Sequence, residues 1–260
     1  MSATPINDTF ISHLIELRSR LLKAVVSVLL VFFVLFFYPG PSVLYDFLAE
    51  PMLANLPQGT HMIATGVITP FMVPVKVTLL TSFVIALPVV LYQAWAFIAP
   101  GLYIHEKRLA LPLIFSSTLL FIMGMAFSYY VVFQTVFQFI TSFAPESITP
   151  APDIEAYVNF VMTMFIAFGI TFEVPIAVVL LVKTGLTTVE KLREIRGYVI
   201  VAAFVIAAVI TPPDVISQFL LAGPLCILYE VGIICASMLK KPLPADIETE
   251  TEAETEKAET

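Results

Sequence analysis

Charge is what this chain has least of. Asp, Glu, Lys and Arg make up only 13% of its 260 residues, whereas 59% are hydrophobic. A soluble domain carries about a quarter charged residues, so this one cannot clothe itself in polar groups and must take lipid as solvent for much of its length. What charge there is lies unevenly. Of the acids behind the net charge of -7, Asp246, Glu248, Glu250, Glu252, Glu254, Glu256 and Glu259 crowd the C-terminal end, and the remainder is near neutral. There is no basic arm to hold a polyanion, which argues against nucleic acid as a partner. Cysteine is scarce too. Cys226 and Cys235 share one apolar stretch and, nine residues apart on a helix, point to nearly opposite faces, so packing is their role and not pairing. The three histidines, His13, His61 and His105, fall in loops or near the ends of apolar runs, which leaves no buried metal site and no intramembrane Ser/His pair. His-Glu-x-x-His, Gly-x-Ser-x-Gly and phosphate-binding glycine loops are all absent. The chain is read as no enzyme, with no metal and no cofactor.

Long apolar runs are what the sequence has in abundance. A hydrocarbon core of about 30 Å needs roughly 20 apolar residues per helix, and Leu21–Tyr38, Phe71–Phe97, Leu109–Phe133 and Tyr157–Val182 supply them. Two further runs follow, Tyr198–Ile210 and residues 215–238. Turn chemistry separates them at Pro39-Gly40-Pro41, Pro100-Gly101, Pro145 to Pro152, Lys183-Thr184-Gly185 and Thr211-Pro212-Pro213-Asp214. The first run has no small-residue cleavage site behind it and reads as an uncleaved span. Arg18, Arg20 and Lys23, then Lys107 and Arg108, then Lys183, Lys191, Arg193 and Arg196, and finally Lys240 and Lys241 occupy alternate connections, while the intervening loops hold only acids. The positive-inside rule then gives six spans with both termini cytoplasmic. Lys76, in the first turns of span two, is the exception and is expected to snorkel to the outer interface. The expected fold is an all-α polytopic membrane protein: one six-helix domain over residues 1–239 and an acidic disordered cytoplasmic tail over 240–260. Prolines at 74, 88, 112, 175 and 224 bend several spans, which suggests a concave bundle.

Spans five and six are expected to form a short hairpin, because Tyr198–Ile210 is about 20 Å long at 1.5 Å per residue and Tyr229-Glu230 interrupts the sixth run. The alternative is a sixth span of ordinary length with Glu230 buried. The segment Asn7–Lys23 is amphipathic, with Phe10, Leu14, Leu17 and Leu21 on one face and His13, Glu16 and Arg20 on another. From periodicity alone this is an interface helix carrying a Glu16–Arg20 pair, and Glu106 is an ordinary solvated loop charge. Glu173 resists such an account: deep in span four, it costs at least a few kcal/mol and usually marks function, whether protonated or hydrogen-bonded to Thr171 or to polar groups on a neighbouring helix. Asp214, after two prolines and before an apolar run, reads as an N-cap of span six.

Four segments in order resemble one family. His13-Leu14-Ile15-Glu16-Leu17-Arg18-Ser19-Arg20-Leu21 is similar to the N-terminal signature of TatC, the core membrane subunit of the twin-arginine protein translocase. Phe97-Ile98-Ala99-Pro100-Gly101-Leu102-Tyr103-Ile104-His105-Glu106-Lys107-Arg108 resembles that family's first cytoplasmic loop, with Lys107 where many relatives carry arginine. Phe168 to Pro175 and Thr211-Pro212-Pro213-Asp214 resemble its fourth span and last outer turn. The resemblance implies a subunit of the bacterial cytoplasmic (inner) membrane that binds twin-arginine signal peptides with TatB. It implies nucleation of TatA assembly and export of folded proteins on the proton-motive force, in a multi-copy TatBC complex. It carries arginine recognition to Glu16 and Glu106, with Arg18 and Arg20 holding the helix in register and Phe97 and Leu102 in apolar contact with the peptide. It places Glu173 inside the concave face and makes Thr211 and Gln218 a polar site for partner helices. Pro51 matches an outer-face cap. A carboxylate accepts a guanidinium fork bidentately, so two carboxylates on one face suit two adjacent arginines. Two other classes remain on sequence grounds. A proton-coupled solute transporter would use Glu173 but needs two related halves with broken helices; an intramembrane hydrolase lacks a catalytic pair.

Overall fold

In the computed structural model, the residues described are 5–53, 62–98, 107–143, 151–211 and 214–239. Among them the chain is helical almost throughout. α1 spans Pro5–Phe37, α2 Pro41–Leu53, α3 Thr69–Ile98 and α4 Lys107–Phe127. A five-residue π-turn, Ser128–Val132, leads directly into α5, Phe133–Phe143. Then come α6 (Ile154–Phe172), α7 (Val174–Lys183), α8 (Val189–Glu194), α9 (Arg196–Ile210) and α10 (Val215–Leu239). Five stretches are long and apolar enough to cross a membrane, His13–Phe37, Thr69–Ile98, Leu111–Phe139, Ile154–Lys183 and Val215–Leu239, and Arg196–Ile210 is a shorter apolar helix. Leu102, Glu106 and the tail from 240 onward lie outside the described residues.

Several elements run differently from the pattern of apolar residues. The amphipathic segment and the first span are one helix, α1, because nothing between Asn7 and Phe37 breaks it: no proline or glycine interrupts those residues. The third helical stretch continues past Phe133 to Phe143, its apolar face still covered by the buried Val136 and Phe137. The loop after span one contains a helix of its own, α2, and Pro51 lies in its last turn. The fourth span is two helices, since the chain steps out of regular geometry at Glu173 and Pro175 removes an amide just beyond it.

Shortness belongs to α9 alone. Its 15 residues reach about 22 Å, while α10 runs unbroken for 25 residues through Tyr229 and Glu230. Glu230 is half-exposed and accepts from Arg196 Nη2 at 2.7 Å. The charge does not end the helix because a cation at the first residue of α9 meets it. The part of α10 that faces α9 therefore runs from Val215 to Glu230, and the rest extends beyond the hairpin.

The central core is built from α3, the π-turn with α5, and α6, with Val73, Val77, Phe133, Val136, Val158, Val161, Met164 and Phe168 buried in one cluster. α1 is the outlier. It packs chiefly on α3 and leaves Leu22, Val26, Leu30, Phe33 and Val34 exposed, as a lipid-facing helix requires. Opposite the end bearing Glu16, a polar clamp joins segments distant in sequence. Ile63 and Asp153 form a parallel bridge, with Ile63 N donating to Pro152 O and Ile154 N to Ile63 O at 3.0 and 2.9 Å. Lys76, unpaired by sequence reasoning, donates from Nζ to Glu155 Oε1 at 2.7 Å and to Asn159 Oδ1 at 3.2 Å. Its charge is met between helices α3 and α6, which is why one cation is tolerated among otherwise acidic connections.

Candidate functional site

Glu16 sits on the part of α1 that overlies the last turns of α3. Arg20, one turn on, donates from Nε and Nη2 to Glu16 Oε1 at 2.8 and 2.6 Å. The His13 ring stacks on Phe97 with centroids 4.5 Å apart and planes inclined by 20°. That contact fixes the register of α1 on α3 and brings Glu16 and Phe97 to one end of the same helix pair. Below them opens a groove of about 260 Å³ between the two helices, with Leu17, Arg20, Leu21, Val90, Gln93 and Phe97 among its walls. The lining is apolar except for Arg20 and Gln93, and Arg20 links it to the Glu16 carboxylate. Arg18 is exposed and does not line the groove. The structure thus brings together Glu16, Phe97 and Arg20 of the anticipated set; Glu106 and Leu102 fall outside the described residues.

Glu173 is buried, with 8% of its surface exposed. Its Oε2 accepts a hydrogen bond from Ser117 Oγ of α4, and Ser117 Oγ in turn accepts from Trp95 Nε1 of α3 at 2.8 Å. The partner is a neighbouring helix and not the adjacent Thr171. Among the described residues no donor reaches Glu173 Oε1, nor do Thr118 Oγ1, Ser128 Oγ or Ser217 Oγ find a partner. In lipid such groups favour any partner that can satisfy them.

Thr211 is buried and donates to Ala207 O at 2.8 Å. Gln218 Nε2 crosses the hairpin to Phe204 O at 3.2 Å. Both of the residues expected to meet partner helices therefore spend a donor on their own hairpin, leaving the Thr211 hydroxyl oxygen and the Gln218 side-chain oxygen as acceptors. Asp214 Oδ1 accepts from Ser217 N at 2.7 Å, and Gln218 N donates to the Asp214 carbonyl oxygen at 3.3 Å. This geometry caps the first turn of α10.

Comparison with known proteins decides the family. The family model described as Sec-independent protein translocase protein (TatC) matches residues 12–224. The chain belongs to the TatC family. The Sec-independent protein translocase protein TatC of Haemophilus influenzae (strain ATCC 51907 / DSM 11121 / KW20 / Rd) is 52% identical over 236 residues, covering 91% of each chain. That of Escherichia coli (strain K12) is 49% identical over 230 residues, covering 88% of each. The crystal structure of a twin-arginine translocase receptor, TatC, superposes with a TM-score of 0.76 at 39% identity, over 87% of this chain and 98% of that one.

As a TatC-family member the chain is a Sec-independent translocase subunit, a multi-pass inner-membrane component of protein transport and not an enzyme. Two residues joined to Glu173 escaped sequence reasoning. Ser117 belongs to Ser116-Ser117-Thr118, a polar run inside an apolar span, and Trp95 is the sole tryptophan. A buried indole N–H needs an acceptor, so these were the available signals, but sequence alone does not say which helix Trp95 faces. Arg20 was read as a helix-surface charge that holds α1 in register; its place in the groove wall depends on the contact between α1 and α3.

Proposed function

We propose that this chain binds twin-arginine signal peptides with TatB, nucleates TatA assembly and passes folded proteins across the membrane on the proton-motive force. Glu16 and Glu106 are the arginine acceptors, on the cytoplasmic side that the Lys and Arg distribution assigns. What supports this reading is the apolar groove walled by Phe97 and by Arg20, whose guanidinium donates to the Glu16 carboxylate. A peptide with a cationic head and an apolar continuation matches a carboxylate followed by such a groove. Arginine suits the carboxylate because its planar fork donates twice in parallel. Phe97 and Leu102 contact the apolar part, and Arg18 keeps the helix in place. Glu173 faces passing helices from within the bundle, and Thr211 with Gln218 meets the single-span partners through acceptors still open. Pro51 shapes the outer face, and Asp214 the start of α10. The working unit is a multi-copy TatBC assembly.

The test is photo-crosslinking of a twin-arginine peptide to the full-length chain with TatB in membranes. Charge-assisted hydrogen bonds are worth about 1.5–3 kcal/mol, so Glu16→Gln is expected to cut crosslinking at limiting peptide by about tenfold or more. Crosslinking that persists undiminished in Glu16→Gln combined with Glu106→Gln would remove the assigned site.

A further inference from the structure

We propose that Ser117, with Trp95 behind it, is a positioning residue for Glu173. It holds the carboxyl withdrawn against α4, so that Glu173 meets a helix within the bundle only after Ser117 lets go. This rests on the reading of Glu173 as a group that faces passing helices, and it names what controls when the group is available. Glu173, Ser117 and Trp95 are all buried. Oε2 of the carboxyl accepts from Ser117 Oγ, and Oε1 is enclosed, with no donor among the described residues. The carboxyl that a partner helix has to find is thus out of its reach here.

The direction of the hydrogen bonds suits Ser117 to this task. An indole N–H can only donate, so Trp95 Nε1, at 2.8 Å, claims Ser117 Oγ as an acceptor and leaves the hydroxyl proton for Glu173. Other hydroxyls of the spans bond to their own helix: Thr78 to Pro74 O at 2.8 Å, Ser82 to Thr78 O at 2.6 Å and Ser116 to Leu113 O at 3.0 Å. Such bonds are local and join nothing to a neighbour. Ser117 instead gives its proton to one helix and takes one from another, and in such a chain each bond strengthens the next. The hold can still be released. Oε1 lacks a donor, so a helix that offers one improves on what Glu173 has here, and in lipid unsatisfied groups reward such a partner. The backbone permits the movement. Glu173 lies where α6 gives way to α7, its N–H turns to Ile170 O at 3.0 Å, and Pro175 has no N–H to continue the ladder. The helices need not part, because α4 and α6 also meet at Gly124 and Phe168. Release is therefore a local event at one side chain.

The experiment uses the full-length chain in lipid nanodiscs and dicyclohexylcarbodiimide, an apolar reagent that enters lipid and couples to carboxyl groups within its reach. Mass spectrometry follows the fraction labelled at Glu173 over time. Ser117→Ala is expected to raise the labelling rate about fivefold, the shift in population that loss of one hydrogen bond brings. Trp95→Phe is expected to raise it about twofold, since Ser117 keeps its proton but loses the bond that directs it. Ser117→Thr keeps the hydroxyl and is expected to lie nearer wild type than Ser117→Ala. Ser82→Ala removes a buried hydroxyl that bonds to its own helix, and is expected to label as wild type. The ratios between variants are expected to hold at about pH 5 and at about pH 8, because access and not protonation sets them. Wild-type labelling in Ser117→Ala or in Trp95→Phe overturns the inference. So does an equal rise in Ser82→Ala, which would mean general loosening, or a ratio that vanishes at either pH. Ser117→Thr labelling as fast as Ser117→Ala overturns it too, because the hydroxyl would then be irrelevant. A second arm adds the single-span partners to Ser117→Ala and is expected to slow its labelling. Unchanged labelling there removes Glu173 as a meeting point for helices, while the hold by Ser117 stands on the first arm. Unfolding temperatures, measured alongside, confirm that each variant is folded.

Discussion

Glu173 shows how much a single buried polar residue depends on its neighbours. Its carboxyl accepts from Ser117, which accepts from Trp95, so three helices share one chain of hydrogen bonds. Removing one member strands the others in a medium without water, at about 1–3 kcal/mol for each buried group left unpaired. Glu173→Ala is therefore expected to lower stability by about 1–3 kcal/mol, and Glu173→Gln, which keeps an acceptor for Ser117, by less. Thermal unfolding in detergent separates the two; equal losses would mean that the Ser117 contact contributes nothing. That Glu173 is costly was legible in the sequence, since a carboxylate amid apolar residues has no other reading. Its partners were not, because Ser117 and Trp95 lie 56 and 78 positions away in sequence, and only the packing of α3, α4 and α6 makes them neighbours.

Helices approach one another closely where glycine permits it. A Cβ on Gly124 of α4 would stand 2.5 Å from the carbonyl oxygen of Phe168 in α6, and one on Gly169 would strike the Phe121 ring. Small residues let membrane helices bring their backbones together, which is what holds them where the hydrophobic effect between helices is absent. Gly124→Leu is expected to cost about 1–3 kcal/mol or more by overpacking, with a falling detergent unfolding temperature as the measure; a variant as stable as wild type would show that α4 and α6 are free to separate. The α9–α10 hairpin makes a contrasting case. Its shortness in α9 follows from the count of apolar residues, yet the extent of α10 does not, because Tyr229-Glu230 reads as an interruption until Arg196 is seen to pair with Glu230. Tyr229 adds a donor to Leu192 O at 2.8 Å, so α8, α9 and α10 are stitched together at that end.

At the scale of the molecule, the end opposite Glu16 is held by contacts between segments far apart in the chain. Asp153 accepts from the amides of Glu155 and Ala156 at the start of α6 and from Thr65 N and Oγ1 at 3.1 and 2.7 Å. The Ala156 amide first, and the Thr65 hydroxyl next, hold its carboxyl below the usual carboxylate range. A carboxyl whose native value is depressed stabilises the fold above its unfolded value, about pH 4, and loses that contribution as the pH falls through the native value. Unfolding temperatures between pH 7 and pH 3 are expected to drop less steeply in Asp153→Asn than in wild type. Parallel curves would show that the clamp does not depend on ionised Asp153.

Four ordered motifs pointed to the family by resemblance, while composition and the spacing of charged residues were enough to determine the class of fold and the apolar stretches. These are properties of one chain against lipid, and the free energy of burying a helix in hydrocarbon is local, summed residue by residue. Glu173 was legible for the same reason, and Glu16 only through the family resemblance. What stands beside them was decided by tertiary structure alone. The contact of His13 with Phe97, Arg20 in the groove wall, Ser117 under Glu173 and Glu155 against Lys76 each join different helices or a helix to a groove between two. Such contacts depend on helix rotation and approach, set by close packing over whole faces and by glycines at the crossing points, and no periodicity in a single helix encodes which neighbour it will meet.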